Sequence, residues 1–429
     1  MTRKLSAIEC MIDANIGFMV RLEGSFQLER LRSALARVQR KHPALRMVLR
    51  KQKNGLYYEE NCAPEVPLRV VPRVSEDDYK CEMQIELMGA FGEGQTLLRA
   101  VWLPSEHESD LLFVTSHRIC DGMSMLTIVR EVLRALHSDK ELVPYDPVTA
   151  RIMIGEYKPE QPWKPKLIAG LMNGAFRLIP KSRPSENKEY TIEWSVGRAL
   201  TDSLTEKCKA EDVSVHAALI VALDRALFNA LGKKKVPYWI ETPIDARRGR
   251  MSALKKDMLF FGGGSLKIRT GQALDEEFWA NGRAVNKEIR RMFDQERLDI
   301  PRRYYFSELL RPVANGRIQT MVRLGDALRV NGSWNRIALS NIGDIAVSDR
   351  DTPFQVKDFR CYVHSFNFRL LGLLAYVMNG EMRFSYGCDE KCMSRSQAHA
   401  LQREFTALLE RHTGMTEDNA KEILDAVVR

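Results

Sequence analysis

Leu28, Leu31, Leu35 and Val38 fall on one face of a helix expected over residues 26–41, with Arg30, Arg32, Arg37 and Arg40 largely off it. Ser25 is its candidate cap, and Pro43 forces its end. The period then changes. Over residues 44–51, Leu45, Met47 and Leu49 alternate with Arg46, Val48 and Arg50, the pattern of a half-buried strand. Asn54-Gly55 reads as a hairpin turn into Leu56-Tyr57-Tyr58. Two more strands are expected at 97–103 and 110–115. The second holds the apolar run Leu111-Leu112-Phe113-Val114 and leads through Thr115-Ser116-His117-Arg118-Ile119-Cys120-Asp121-Gly122 into an amphipathic helix. Met125, Ile128, Val129, Val132, Leu133 and Leu136 form the buried stripe of that helix.

Between residues 144 and 184 the texture changes, with Pro144, Pro147, Pro159, Pro162, Pro165, Pro180 and Pro184 crowded together. This reads as a linker over a surface, with one helix near 168–178, and it sets a division into lobes 1–185 and 186–429. A second mixed segment follows. Residues 190–196 alternate as a strand, and Ser214 caps a helix whose apolar face is Val215, Leu219, Leu223, Ala226 and Leu227. His216, in its first turn, reads as a packing or surface histidine. A strand over 236–244 ends in Pro243-Ile244-Asp245-Ala246-Arg247-Arg248. The glycines at 262–264 could let a backbone approach a ligand, but no phosphate-loop lysine follows them. Helices are expected over 274–297 and 304–324, and a short strand over 336–340 closes in Asn341-Ile342-Gly343-Asp344. Strands over 359–368, 370–378 and 382–386 follow, the last two joined by Asn379-Gly380, before a helix carrying Ala398, Leu401, Phe405, Leu408 and Leu409.

Composition narrows the class without naming an activity. The chain has 429 residues, 45% hydrophobic and 28% charged, ordinary values for a soluble protein with two or three domain-sized units. Its 65 basic and 56 acidic residues give +9. Local groups at Lys233-Lys234-Lys235, Arg247-Arg248, Arg250 and Lys255-Lys256 read as solvated surface, or as attraction to coenzyme A phosphates, an acidic carrier protein or an anionic membrane surface. No nucleic-acid motif is present. The eight cysteines are spread without a paired CxxC arrangement, and Cys388 with Cys392 alone does not make a zinc site, so no metal is expected. No apolar stretch follows the basic start or approaches the ~18 residues of a membrane span. Reduced thiols in a cytoplasm are the expectation, with peripheral membrane contact compatible.

The candidate chemistry lies at the turn after Val114. A histidine at a strand end can act as a general base near neutral pH, and a carboxylate four residues on can hold the turn or the ring. Locally, Asp121 also reads as a helix cap and Gly122 as the completion of a turn. Cys120 reads as a buried, inert thiol.

The ordered set of phrases carries more than any one of them. Glu29-Arg30-Leu31-Arg32-Ser33-Ala34-Leu35 precedes His42-Pro43-Ala44-Leu45-Arg46, then His117-x-x-x-Asp121-Gly122, Pro243-Ile244-Asp245-Ala246-Arg247, Phe261-Gly262 and Ser340-Asn341-Ile342-Gly343. In order and spacing this resembles the superfamily of chloramphenicol acetyltransferase, nonribosomal peptide condensation domains and polyketide-associated acyltransferases. The resemblance implies a mixed α/β fold of two pseudo-symmetric lobes, each a mixed sheet flanked by helices, with the active-site tunnel between them. It implies His117 as the catalytic second histidine of HHxxxDG, and Asp121 as a structural carboxylate paired with an arginine, for which Arg247 is the candidate. Gly122 supports the site, and Ser116, Ser340 and Asn341 are candidate substrate contacts. Ser116 departs from the pattern, standing where the family has its first histidine.

The function so implied is acyl transfer from acyl-coenzyme A or a phosphopantetheine-linked carrier to a small-molecule hydroxyl, with no permanently bound cofactor. Two alternatives stand beside it. One is a free-standing condensation enzyme that forms an amide on an amine acceptor, and the other is a catalytically silent binding module of the same fold.

Overall fold

The computed structural model describes residues 2–24, 26–53, 55–178, 188–232, 236–245, 247, 254–262, 264–271, 277–310, 336–345, 354–366 and 370–414. The expected Ser25 cap, Asn54, Pro180, Pro184, the Lys233-Lys234-Lys235 group, Ala246, Arg248, Arg250, Gly263 and the expected segments 274–276, 311–324 and 367–368 lie outside them.

Ten residues near the start, β2 (Ala14–Glu23), make the spine of the first sheet. Nine of the ten are buried, so the strand shows no alternation and the sequence pattern does not announce it. Helix α2 (Leu28–Lys41) follows as expected, with Leu31, Leu35 and Val38 fully or nearly fully buried. The strand expected over 44–51 starts later. Pro43–Arg46 is one turn of 3₁₀ helix, and β3 (Val48–Gln52) begins only after it, pairing with β4 (Gly55–Glu59). Proline at the first position of that turn lacks an amide proton to give a ladder and presets a helical φ. A short β1 (Thr2–Lys4) completes this three-stranded sheet in the order β1-β4-β3, and α1 (Ala7–Met11) follows it.

β5 (Leu68–Val70), α3 (Asp78–Met88), β6 (Leu98–Pro104), β7 (Glu108–Ser116) and α4 (Gly122–His137) complete the first lobe. α2 and α4 pack on each other over one face of the sheet, burying Met125, Ile128, Val129, Val132, Leu133 and Leu136 beside Phe18 and Phe113. α3 covers the other face with Tyr79, Met83 and Leu87 against Met19, Leu112 and Val114. The short helix α5 (Ala150–Ile154) and the longer α6 (Trp163–Leu178) lie in the proline-rich stretch.

The second lobe contains β8 (Glu189–Val196), α7 (Arg198–Ala210), α8 (Val215–Leu231), β9 (Trp239–Pro243), β10 (Ser265–Arg269), α9 (Phe278–Leu309), β11 (Arg336–Asp344), β12 (Gln355–Ser365), β13 (Leu370–Met378), β14 (Glu381–Asp389) and α10 (Arg395–Thr413). Six of its strands form a mixed sheet in the order β10-β9-β11-β13-β14-β8, covered by the buried residues of α8 and α10. Helix α9 runs unbroken through Pro301, where two helices were expected.

β12 does not join that sheet. It pairs antiparallel with β2, Phe359 opposite Val20 and Val363 opposite Ile16, so the first sheet runs β12-β2-β7-β6-β5. A boundary at 185 therefore does not separate the two sheets, because one strand of the first comes from residues 355–365.

Candidate active site

β7 ends in the buried Ser116, and the chain turns before α4. The turn is held from both sides. His117 donates its backbone N–H to the Ala14 carbonyl (2.8 Å), which ties it to the start of β2, and Ile119 donates to Ser116 (3.1 Å). The imidazole is also fixed. Its Nδ1 lies 2.7 Å from the Cys120 carbonyl oxygen, and a carbonyl can only accept, so Nδ1 carries the proton and Nε2 the lone pair. Phe261 packs edge-on against the ring at 5.2 Å and 88°. Burial lowers the ring's pKa from its ordinary value, against the opposing pull of the Cys120 carbonyl and the Asp121 charge.

Asp121 caps α4, its Oδ1 accepting from the Ser124 amide (2.7 Å). The same carboxylate receives both ends of the Arg247 guanidinium, Nη1 to Oδ2 at 2.9 Å and Nη2 to Oδ1 at 3.1 Å. Cap and brace are therefore one group. Arg247 is 8% exposed and spends its remaining donors on Asp245 Oδ1 (2.9 Å), Ser124 Oγ (2.6 Å) and the Met258 carbonyl (2.9 Å). Its guanidinium also stacks 4.2 Å from the centre of the Phe260 ring. Fully hydrogen-bonded, the buried cation meets the condition under which such a charge is tolerated.

Ser124 escaped the sequence reading. Its Oγ accepts from Arg247 and from the Phe260 amide (3.3 Å) and donates to the Phe260 carbonyl (3.2 Å), so one hydroxyl joins the two lobes. Its place three residues after the Asp121 cap was the available signal. The contacts of Phe261 were also missed, although the residue stood in the Phe261-Gly262 phrase. Tyr304 on α9 donates to the Phe261 carbonyl (2.6 Å) and holds that segment against the histidine.

The remaining sequence candidates lie on β7 and β11. Ser116 is 1% exposed and sits opposite Asn15, whose amide is given to the Leu87 and Gly89 carbonyls (2.8 and 2.9 Å). It is a strand-end residue in the interior. Asn341 uses its Oδ1 to accept from the Gly343 amide (3.0 Å), supporting a bulge in β11 where Gly343 takes φ +82°. Ser340 is half-buried on the same strand. The residue of this phrase that does reach the turn is Ile342, which a Cβ at Gly122 would meet at 4.0 Å.

Gly264 serves packing rather than a ligand, since a Cβ there would stand 2.9 Å from Ile244 and 3.1 Å from Ile300. His216 lies on α8 with Nε2 3.2 Å from Thr242 Oγ1, and burial brings its pKa down to about 4. Cys120 is fully buried and its thiol is pushed well up by burial, which removes thiolate character.

A cavity opens beside the turn, its wall including Arg118, Ile119, Phe261, Tyr304, His42 and Tyr58. The Tyr58 hydroxyl and His42 Nδ1 are buried there without a hydrogen-bond partner among the described residues. Behind it, His42 Nε2 meets Glu131 Oε2 (2.7 Å), Lys41 bridges Glu131 and Asp257, and Tyr145 donates to Asp257 (2.7 Å).

His117 at the end of β7 and Asp121, braced by Arg247 from the second sheet-bearing lobe, lie where the two lobes meet. The profile described as Condensation domain matches residues 13–324, and the chain belongs to that family. Among solved structures it is similar to polyketide synthase associated protein 5 from Mycobacterium tuberculosis, with TM-score 0.65, 11% identity, and 96% of this chain and 97% of that one covered. It is also similar to the first condensation domain of the CDA synthetase, with TM-score 0.67, 13% identity and 96% of each chain covered. A third similar structure is TRI3 trichothecene 15-O-acetyltransferase from Fusarium sporotrichioides, with TM-score 0.64, 12% identity, and 96% and 95% covered. At these identities the likeness establishes the fold. No curated protein matches the sequence.

Proposed function

We propose that the protein is an acyltransferase moving an acyl group from a thioester to an acceptor hydroxyl, with His117 as general base. One observation carries the reading. The Nδ1–H of His117 is given to the Cys120 carbonyl, which leaves Nε2 as a proton acceptor on a ring kept neutral by burial. In the proposed step Nε2 takes the hydroxyl proton while that oxygen bonds to the thioester carbonyl carbon. The tetrahedral intermediate then breaks its C–S bond, and the proton on Nε2 passes to the departing thiolate. The thioester is already activated, so no covalent enzyme intermediate is required.

The donor is an acyl group on coenzyme A or on a carrier's phosphopantetheine. Membership of the family supports a thioester donor, and a net charge of +9 suits phosphates or an acidic carrier. Phe261 packs against His117 and also lines the cavity, which favours that space for the acceptor. The unsatisfied Tyr58 hydroxyl and His42 Nδ1 favour an acceptor that carries its own hydrogen-bonding groups.

The test pairs acyl-coenzyme A and acyl-carrier donors with alcohols and amines, reading thiol release and product mass. His117→Ala is expected to lower turnover by ~10²–10⁴-fold while a single cooperative thermal transition is retained. Undiminished turnover in that variant would remove His117 from the mechanism. Amide products made only from carrier-bound donors would replace the ester reading with condensation.

Ser116 favours a second reading, a silent binding module, because it stands where the family pattern has its first histidine. Donor binding without thiol release across the whole panel would establish that reading.

A further inference from the structure

Helix α6 meets the body of the protein on a narrow strip. Ala169 is 2% exposed, and Asn173 Nδ2 donates to the Leu309 carbonyl (3.0 Å) at the end of α9. The opposite face carries Trp163 (58% exposed), Leu167 (54%), Ile168 (51%), Leu171 (69%) and Leu178 (86%). Positions 163, 167 and 171 recur at helical spacing with 168 beside them, and Leu178 lies on the same face two turns on, past Gly174 and Ala175, so the exposed large side chains share one face. This inverts the usual surface helix, whose apolar stripe faces the core. Single exposed apolar residues need no explanation, but a large contiguous patch marks an interaction surface.

The charge of the helix is of one sign. Lys164, Lys166 and Arg177 are exposed, and no Asp or Glu occurs between residues 163 and 178. None of the three forms an ion pair with a described residue, while Lys164 lies 5.8 Å from the Trp163 ring. Leucines and a tryptophan with basic residues and no acidic ones is the composition of a helix lying in a lipid interface. There the apolar face enters the acyl boundary and the cations meet headgroup phosphates. Tryptophan suits that depth, with an apolar body and one polar N–H. No single helix among the described residues is long and apolar enough to cross a membrane, so contact through α6 would be peripheral.

We propose that α6 docks the protein onto an anionic membrane surface, using the Trp163-Leu167-Leu171-Leu178 stripe for insertion and Lys164, Lys166 and Arg177 for charge. The inference is independent of the catalytic reading, since none of these residues lies in the site described above.

The test is co-sedimentation of the full chain with phosphatidylcholine vesicles, with and without phosphatidylglycerol, at low and high salt. Binding is expected to the phosphatidylglycerol vesicles and to weaken as salt screens the three cations. The double variant Leu167→Ser, Leu171→Ser is expected to lose affinity roughly tenfold or more. Lys164→Glu with Lys166→Glu is expected to abolish the preference for anionic lipid. Val74→Ser, at a residue 90% exposed outside α6, should bind as the parent does. Absence of parent binding, or equal binding by the Leu167/Leu171 variant, overturns the proposal. So does a parent dimer that this variant converts to monomer, because a second copy would then cover the stripe. Acyl transfer measured without vesicles should be unchanged in the Leu167/Leu171 variant, so the two proposals fail separately.

Discussion

The proposed role of His117 requires an unprotonated ring at working pH, and burial rather than a neighbouring cation lowers its pKa. Its pKa in the folded protein lies below the ordinary value near 6.5. The sign then follows. The unfolded chain binds the proton more readily, so the stability gained from the neutral ring is complete above 6.5 and is lost as pH falls toward the lowered folded value. The acid limb of kcat/KM, measured over pH 4–8, is expected to have its midpoint below 6.5. A midpoint at or above that value would contradict this account of the ring. Arg247 is the second test at this scale. Its removal would leave the half-buried Asp121 and Asp245 without their shared cation and Ser124 Oγ with only the Phe260 amide as donor. Arg247→Met is expected to cost about 3 kcal/mol in urea unfolding. A cost below ~1 kcal/mol would mean that the pair is a surface feature. The Asp121–Arg247 pair was legible because each residue stands in one of the ordered phrases that carry the family resemblance. Ser124 and Phe261 were not fully legible, because their contacts exist only when residues 136 apart in sequence meet, as Ser124 and Phe260 do.

Whether an element could be read from the chain depended on how many of its faces are buried. α2, α4 and α10 each bury one face, and their periodicity was plain, whereas α8 buries every residue from Ala217 to Leu223 and was marked by its Ser214 cap and its apolar run. β2 buries both faces, with even Arg21 taken inside by a hydrogen-bonded pair with Asp110 at 2.7 Å, so no alternation marks it. α3 buries Tyr79, Met83 and Leu87 but also Glu86, and its pattern is correspondingly blurred. The contact between these two overlooked elements rests on Gly17. A Cβ there would stand 2.6 Å from Met83 Sδ and 3.0 Å from Leu87 Cδ2, so glycine lets α3 settle on β2. Gly17→Val is expected to destabilise by about 1–3 kcal/mol, the usual cost of overpacking, with Met83 absorbing part of it. Thermal and urea unfolding measure the change, and a variant as stable as the parent would show that α3 is not held by close approach. Gly122 makes the contrast, since its added Cβ meets only Ile342 at 4.0 Å, and Gly122→Ala should leave the melting temperature within a few degrees of the parent.

The two lobes share more than a cleft, and β12 is the reason. Its backbone completes the first sheet against β2, where Phe359 packs edge-on to Phe18 at 5.1 Å. Its side chains reach the second sheet: Asp358 pairs with Arg383 on β14, and the Tyr362 hydroxyl donates to Glu193 on β8 (2.9 Å). Tyr376 on β13 donates to the Phe359 carbonyl (2.9 Å), and Tyr376 and Met378 belong to the same buried cluster as Leu31 and Val129. At the His117 end, Arg247, Ser124 and the Lys41–Asp257–Tyr145 group span the same seam. The proline-rich stretch showed where the chain changes texture, but nothing local in residues 355–365 could show that they pair with residues 14–23, because sheet register is a long-range property. Cutting at 185 would remove β12 and leave β2 as a ten-residue edge whose side chains are made for burial, a form prone to pair with other chains. A fragment of residues 1–185 is therefore expected to aggregate, and co-expression of residues 186–429 to return it to solution, read by size exclusion and light scattering. The full chain should melt in one calorimetric transition, with no separate unfolding of either lobe. A soluble, cooperatively melting 1–185 fragment would show that β12 is an accessory strand. The geometry argues otherwise, because the strand that closes the first sheet also carries the ion pair to the second, so one lobe cannot lose it without loosening the other.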